Sequence, residues 1–260
     1  MNNNFTIIAG PCLIEDEKML KQTAETLLKA IDGLDVNFVF KGSYRKANRT
    51  SANSFNGIGD EKAMRFLAGV KKEFGVQITT DVHTAGEAFW AGEMVDVIQI
   101  PAFLSRQTDL IIAAAQTGKI VNIKKAQFMA PEDVLKAANK ATSVGNANVW
   151  LTERGTCFGY HDLVVDFRSL IELQKSPFPI IYDATHSVQQ PSIGEQSGGN
   201  REYIQKLAQA AVSVGVNGIF FETHPDPANA KSDSATQLPL DQAGDFIKRL
   251  YDLHDYISRI

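Results

Sequence analysis

The chain has 260 residues, 44% of them hydrophobic and 22% charged, and its 30 acidic side chains outnumber 26 basic ones for a formal net charge of −4. Such a composition fits an ordinary globular protein with a large core, and the acidic balance excludes the basic footprint of a nucleic-acid binder. Two cysteines cannot build a disulfide framework, no apolar run is long enough to span a membrane, and Met1–Asn4 lacks the features of a signal peptide. A cytoplasmic protein with no nucleic-acid or membrane partner is therefore expected.

In chain order, short β-branched or apolar runs alternate with stretches of helical spacing. The strand at Thr6–Ala9 comes first, which leaves room for only a minimal N-terminal extension, and the helix Glu17–Ile31 follows. Val36–Phe40 precedes the helix Asp60–Phe74, Gln77–Thr80 precedes Thr84–Ala91, and Asp96–Ile100 precedes Gln107–Thr117. Ile120–Ile123 leads to Pro131–Ser143, Asn148–Leu151 to Asp162–Gln174, Ile180–Tyr182 to Asn200–Val214, and Gly218–Phe221 to Leu240–Ile257. Pro131 with Glu132 and Asp133 reads as a first helical turn, and Gly75, Gly118, Gly145 and Gly215 stand where C-caps belong. Strands apolar on both faces are those of a covered parallel sheet. Eight repeats favour one (β/α)8 TIM barrel over residues 1–260, a single catalytic domain, rather than a doubly wound sheet.

In such a barrel the chemistry sits at the C-terminal strand ends. Those positions are rich in polar groups: Cys12 after strand one; Lys41, Lys46, Asn48, Arg49 and Ser51 after strand two; Asp81 and His83 after strand three. Gln99 and Arg106 follow strand four, Lys124 and Lys125 strand five, Glu153 and Arg154 strand six. Asp183 and His186 follow strand seven, and Glu222, His224 and Asp233 follow strand eight. Lys41, Lys46, Arg49, Arg106, Lys124 and Arg154 are expected to converge on one mouth, a cationic cleft suited to phosphate or carboxylate. Any one of them alone would read as a solvated loop charge.

Cys12, His186, Glu222 and Asp233 form a second set. A thiolate, an imidazole and two carboxylates suit Zn, Fe(II), Mn or Co as a divalent metal ion. Their spacing carries no metal motif, and a buried Cys is usually inert, but strands one, seven and eight become neighbours when a barrel closes. Cys157 reads as a free thiol, and His161 and His254 as surface or packing residues. The Gly-, Gln- and Ser-rich segment Ser187–Gly199 suits either a surface loop or a lid.

Several stretches together resemble the 3-deoxy-D-manno-octulosonate 8-phosphate (KDO8P) synthases over essentially the whole chain. They are Ala9-Gly10-Pro11-Cys12, Lys46-Ala47-Asn48-Arg49, Gln99 to Leu104 running into Arg106-Gln107-Thr108-Asp109, and Asn122 to Lys125 with Gln127-Phe128. Phe158-Gly159-Tyr160, Asp183-Ala184-Thr185-His186 and Glu222-Thr223-His224-Pro225 complete the set. The resemblance implies condensation of phosphoenolpyruvate with D-arabinose 5-phosphate and water, releasing phosphate and feeding lipopolysaccharide synthesis. It implies that Lys41, Lys46, Lys124 and Arg154 bind phosphoenolpyruvate. It also implies that Asn48, Arg49 and a neighbouring subunit's Arg106 hold the sugar phosphate in a homotetramer, with Ser51 and Gln99 as further substrate-binding candidates. Cys after Gly-Pro, and Ser232-Asp233 leading to Thr236-Gln237-Leu238-Pro239, are similar to the metal-dependent branch. Asp81, His83 and His186 are candidates for proton traffic, and Lys46 joins them as a catalytic candidate.

Two positions depart from the family pattern: Arg45 where Asp is usual, and Thr50 where Ser is usual. The sister DAHP synthases, which take erythrose 4-phosphate, typically read Lys-Pro-Arg-Thr-Ser in this loop. Thr50-Ser51 match that pattern and Ala47-Asn48 do not, which favours the longer sugar. A Schiff-base aldolase would need a lysine away from phosphate binders, and a non-catalytic sugar-phosphate sensor would not need the metal set.

Overall fold

The computed structural model describes residues 5–48, 54–191 and 198–260. Eight parallel strands form one closed sheet: β1 (Phe5–Gly10), β2 (Val36–Lys41), β3 (Gln77–Asp81), β4 (Val97–Ile100), β5 (Ile120–Lys124), β6 (Val149–Glu153), β7 (Ile180–Asp183) and β8 (Gly218–His224). Each pairs with the next in sequence, and β8 returns to β1 through Thr6↔Gly218 to Gly10↔Glu222. The helices α1 (Glu17–Ile31), α2 (Asp60–Phe74), α3 (Ala85–Gly92), α4 (Thr108–Gln116), α5 (Pro131–Thr142), α6 (Phe167–Gln174), α7 (Ile204–Val214) and α8 (Ala243–Ile257) follow the strands in order. The (β/α)8 barrel expected from the alternation is the fold observed.

Local chemistry sets the helix ends. Asp16 accepts a hydrogen bond from the Met19 N–H at 2.8 Å to start α1, and Thr84 accepts from Glu87 at 3.2 Å to start α3. Gly75 and Gly215 close α2 and α7 in the left-handed conformation, where a Cβ is costly. Along α5, Val134, Ala137, Ala138 and Ala141 recur at helical spacing and are the residues buried against the barrel.

Three helices begin later than their periodicity suggests. The start expected at Asp162 moves to Phe167, because Leu163–Val164 pairs antiparallel with Thr156–Cys157 and Asp166 then caps the helix by accepting from Arg168 N–H. Arg201–Tyr203 and Leu240–Gln242 are single 3-10 turns ahead of α7 and α8. The segment Ser187–Gly199 has an antiparallel pair at its base, Gln189–Gln190 with Gly198–Gly199, while residues 192–197 lie outside those described.

Side-chain alternation divides the barrel interior into layers. Ile8, Val39, Val97, Trp150, Ile181 and Phe220 pack together in the lower part of the lumen. Two residues further along each of these strands stand Gly10, Lys41, Gln99, Thr152, Asp183 and Glu222. The parity that seals the base with apolar groups thus delivers polar groups to the mouth. At Gly10 the chains approach so closely that a Cβ would lie 2.0 Å from the Lys41 carbonyl oxygen, so only glycine fits.

Candidate active site

The C-terminal strand ends surround a cavity of about 940 Å³ lined by Lys41, Lys46, Asn48, Asp81, His83, Gln99, Lys124, Arg154, His186, Glu222 and Asp233. Arg106 is exposed and outside this lining, so one chain brings together fewer cations than the six expected. It lies two residues before α4, and its carbonyl accepts from Lys140 Nζ at 3.0 Å. Arg49 and Ser51 lie outside the described residues.

A hydrogen-bonded layer ties the floor of the cavity together. Thr152 donates to Asn122 at 2.6 Å, and Gln99 Nε2 donates to Asp81 Oδ1 at 2.5 Å. Ser43 donates to Asp81 Oδ2 at 2.8 Å and accepts from Lys46 Nζ at 2.9 Å. Burial pushes the Asp81 carboxyl upward, but Lys46, Lys41, His83 and Lys124 outweigh it and hold the group below the usual carboxylate range. A carboxylate so firmly ionised is a poor proton acceptor at neutral pH and a good anchor for Lys46. Because its folded pKa is depressed, its stabilising contribution is complete above the unfolded value of about 3.9 and is lost as pH falls below it. Asp81→Asn should make unfolding free energy less steep in pH there, by up to about 1.4 kcal/mol per pH unit. Urea titrations at several acidic pH values would test this, and parallel slopes for both proteins would refute it.

The cations differ in how far they are already engaged. Lys41 is buried, and its ammonium donates to Pro11 O at 3.2 Å, Cys12 O at 2.9 Å and Glu222 Oε1 at 2.6 Å. Its three protons are all used, so it braces the β1 and β8 ends. Lys124 Nζ lies 2.6 Å from Asp183 Oδ2 and 3.6 Å from the Phe220 ring centroid. Arg154 donates through Nη2 to Gln189 at 3.0 Å, while its Nη1 is buried with no partner among the described residues. A buried guanidinium nitrogen without an acceptor is costly unless an anion arrives. Lys125 points elsewhere, to Met129 O at 3.2 Å and Glu153 at 3.5 Å, and is structural.

Three of the four expected metal ligands converge. One donor atom each from Cys12, Glu222 and Asp233 lies within 4.8 Å of the others. His186 Nε2 stands beside them, 3.7 Å from Glu222 Oε1 and 3.6 Å from Asp233 Oδ2. Its Nδ1 is 2.8 Å from Asp183 Oδ2, an arrangement that aims Nε2 at the cluster as metal-bound histidines require. Glu222 Oε2 is buried without a hydrogen-bond partner among the described residues. Burial, then Asp233 and Glu222, push the Cys12 thiol well up, a penalty that a cation between the three would reverse. The donor set therefore fits a divalent ion. Asp233 itself has φ 46°, left-handed backbone that a non-glycine residue occupies at some cost.

Sequence reading passed over three supports of these groups. Ser43 bridges Asp81 and Lys46, and Gln189 holds Arg154. Gln237 accepts the Cys12 N–H at 3.1 Å and donates to Ser232 O at 2.8 Å, tying the β1 end to the loop that carries Asp233. Gln237 lies in the Thr236–Pro239 stretch already singled out, whereas Ser43 and Gln189 have no local signal. Cys157 is a free, partly buried thiol, His161 is exposed, and His254 stacks on Phe5 at 4.5 Å between ring centroids. Among the described residues no helix is long and apolar enough to cross a membrane.

Residues 1–259 match the family model described as the DAHP synthetase I family. A 2-dehydro-3-deoxyphosphooctonate aldolase of Bartonella quintana is 49% identical over 256 residues, covering 98% of this chain and 92% of the relative. Proteins of the same name from Magnetococcus marinus and Protochlamydia amoebophila are 52% and 49% identical, covering 91% and 96% of this chain and 83% and 92% of those relatives. With the barrel, the strand-end cations and the match over nearly all its length, the chain belongs to the DAHP synthetase I family, among its 2-dehydro-3-deoxyphosphooctonate aldolases.

Proposed function

We propose that the chain condenses phosphoenolpyruvate with D-arabinose 5-phosphate and water, giving 3-deoxy-D-manno-octulosonate 8-phosphate and inorganic phosphate. The observation that carries this reading within the site is the buried Arg154 Nη1, without a partner among the described residues, in a cavity that Lys46 and Lys124 also line. These three cations bind the phosphate and carboxylate of phosphoenolpyruvate, with Lys41 setting the floor beneath them. Asn48, Arg49 and Ser51 take the sugar phosphate with the Arg106 of a second copy. The exposed, outward placement of Arg106 suits that role in a homotetramer.

In the reaction, carbon three of phosphoenolpyruvate bonds to the aldehyde carbon, and water adds at carbon two. The hemiketal then breaks its carbon–oxygen bond to phosphate. Fixed cations hold the two substrates in near-attack geometry, where much of the barrier is removed by orientation alone. Gln99 and Asp81 keep Lys46 in place, and His83 and His186 line the cavity as the candidates for proton transfer. Cys12, Glu222, Asp233 and His186 would hold a divalent ion, with Zn, Fe(II), Mn and Co all compatible, which supplies Lewis-acid charge when bound.

The direct test is phosphate release from phosphoenolpyruvate with arabinose 5-phosphate and erythrose 4-phosphate in parallel. Turnover is expected with the five-carbon sugar. Equal or faster turnover with erythrose 4-phosphate would transfer the assignment to the sister reaction, and none with either would overturn it.

A further inference from the structure

Arg45 lies outside the lining of the cavity. Its Nη1 bonds Asp60 Oδ2 at 2.9 Å in the first turn of α2, and its Nη2 bonds Glu87 Oε1 in the first turn of α3. Glu87 is the centre of this cluster: its Oε2 accepts from the Tyr44 hydroxyl, from the His83 backbone N–H at 2.8 Å, and faces His83 Nδ1 at 2.8 Å. The side chains of His83 and Glu87 are 12% and 15% exposed.

The pairing has a consequence for the imidazole. An ionised carboxylate can only accept, so the neutral His83 ring must carry its proton on Nδ1. Nε2 is then a bare lone pair, on a ring that lines the cavity, with no hydrogen-bond partner among the described residues. Burial pushes the Glu87 carboxyl upward, but the bonds from Tyr44 and His83 more than offset it and keep the group ionised. Arg45 adds a cation on the other oxygen. An aspartate at position 45 would instead set a second carboxylate against Glu87.

We propose that Arg45 and Glu87 are positioning residues that hold His83 as its Nδ1–H tautomer and present Nε2 to the cavity as an acceptor for a hydroxyl of the phosphorylated aldose. The acceptor's partner rests on the function proposed above; the tautomer does not. Arg45 immediately precedes Lys46, whose N–H donates to Asn56 O at 2.8 Å, so the same brace fixes where the phosphate-binding loop leaves the barrel.

The test is long-range ¹H–¹⁵N NMR of the full-length enzyme labelled at its five histidines, with the His83 signal assigned by its loss in His83→Gln. The wild type should show Nδ1 protonated and Nε2 bare, and Glu87→Ala should move His83 toward the mixture of tautomers of an unconstrained ring. Glu87→Ala and Arg45→Asp should each lower kcat about tenfold to a hundredfold, the scale of lost orienting partners, with the KM for phosphoenolpyruvate changed less than about twofold. Glu87→Gln keeps the side-chain shape and decides the matter if the alanine variant does not fold: its amide can accept or donate, so both tautomers should appear. A wild-type His83 protonated on Nε2, or a folded Glu87 variant with unchanged tautomer and kcat, would overturn the proposal. A wild type inactive with both sugars but showing the Nδ1–H ring would overturn only the functional reading.

Discussion

Dialysis of the purified protein against a strong chelator should reduce phosphate release to background while leaving far-ultraviolet circular dichroism unchanged, and a divalent transition metal should restore it. The donors sit on three elements that the barrel already holds together: Cys12 after β1, Glu222 in β8, and Asp233 in the loop tied by Gln237. Removing an ion therefore leaves the scaffold standing, unlike a small domain that folds only around its metal. Cys12→Ala should have the same phenotype but resist rescue, because a soft donor is lost and the remaining oxygen and nitrogen ligands bind these ions less tightly. Full turnover in a preparation shown metal-free by elemental analysis would remove the ion from the mechanism.

The second large effect is expected at Lys124. Lys124→Met should lower kcat/KM for phosphoenolpyruvate about a hundredfold to a thousandfold, the range seen when one preorganised stabilising group is deleted from a closed site. It should also destabilise the fold by about 3–5 kcal/mol, because Asp183, wholly buried, would lose its ammonium partner and keep only His186. The double variant Lys124→Met/Asp183→Asn separates the two losses: removing the orphaned charge should return much of the stability and none of the catalysis. A double-mutant cycle by urea unfolding, run with steady-state kinetics, reads both. Wild-type kinetics in the single variant would show that Lys124 serves Asp183 alone.

The Arg45 network shows why some of the site was not legible in advance. Beside Lys46, a reversed charge looks like a change in the sugar pocket. In the fold its guanidinium reaches across two loops to Asp60 and Glu87, 15 and 42 residues away, and the pocket never meets it. Glu87 is four residues beyond His83 and reads locally as an ordinary first-turn acid. Only the packing of Tyr44 and Arg45 onto α3 adds two distant donors to those of His83 and gives it a role toward the cavity.

The amino-acid sequence by itself determined the eight repeats, because burial of both strand faces and of one helix face leaves periodic marks that do not depend on distant residues. It also determined which residues stand at the strand ends, since alternation along each strand carries the apolar parity of Ile8, Val39, Ile181 and Phe220 up to Gly10, Lys41, Asp183 and Glu222. Only the tertiary structure decided which of those groups are free. Lys41 and Glu222 are 181 residues apart and Lys124 and Asp183 are 59 apart, yet each pair is in direct contact. Charge neutralisation is a property of distance in space, and barrel closure is what sets those distances. The same closure brings Cys12 against Asp233 and leaves one nitrogen of Arg154 without a partner among the described residues, facing the problem that a bound anion solves.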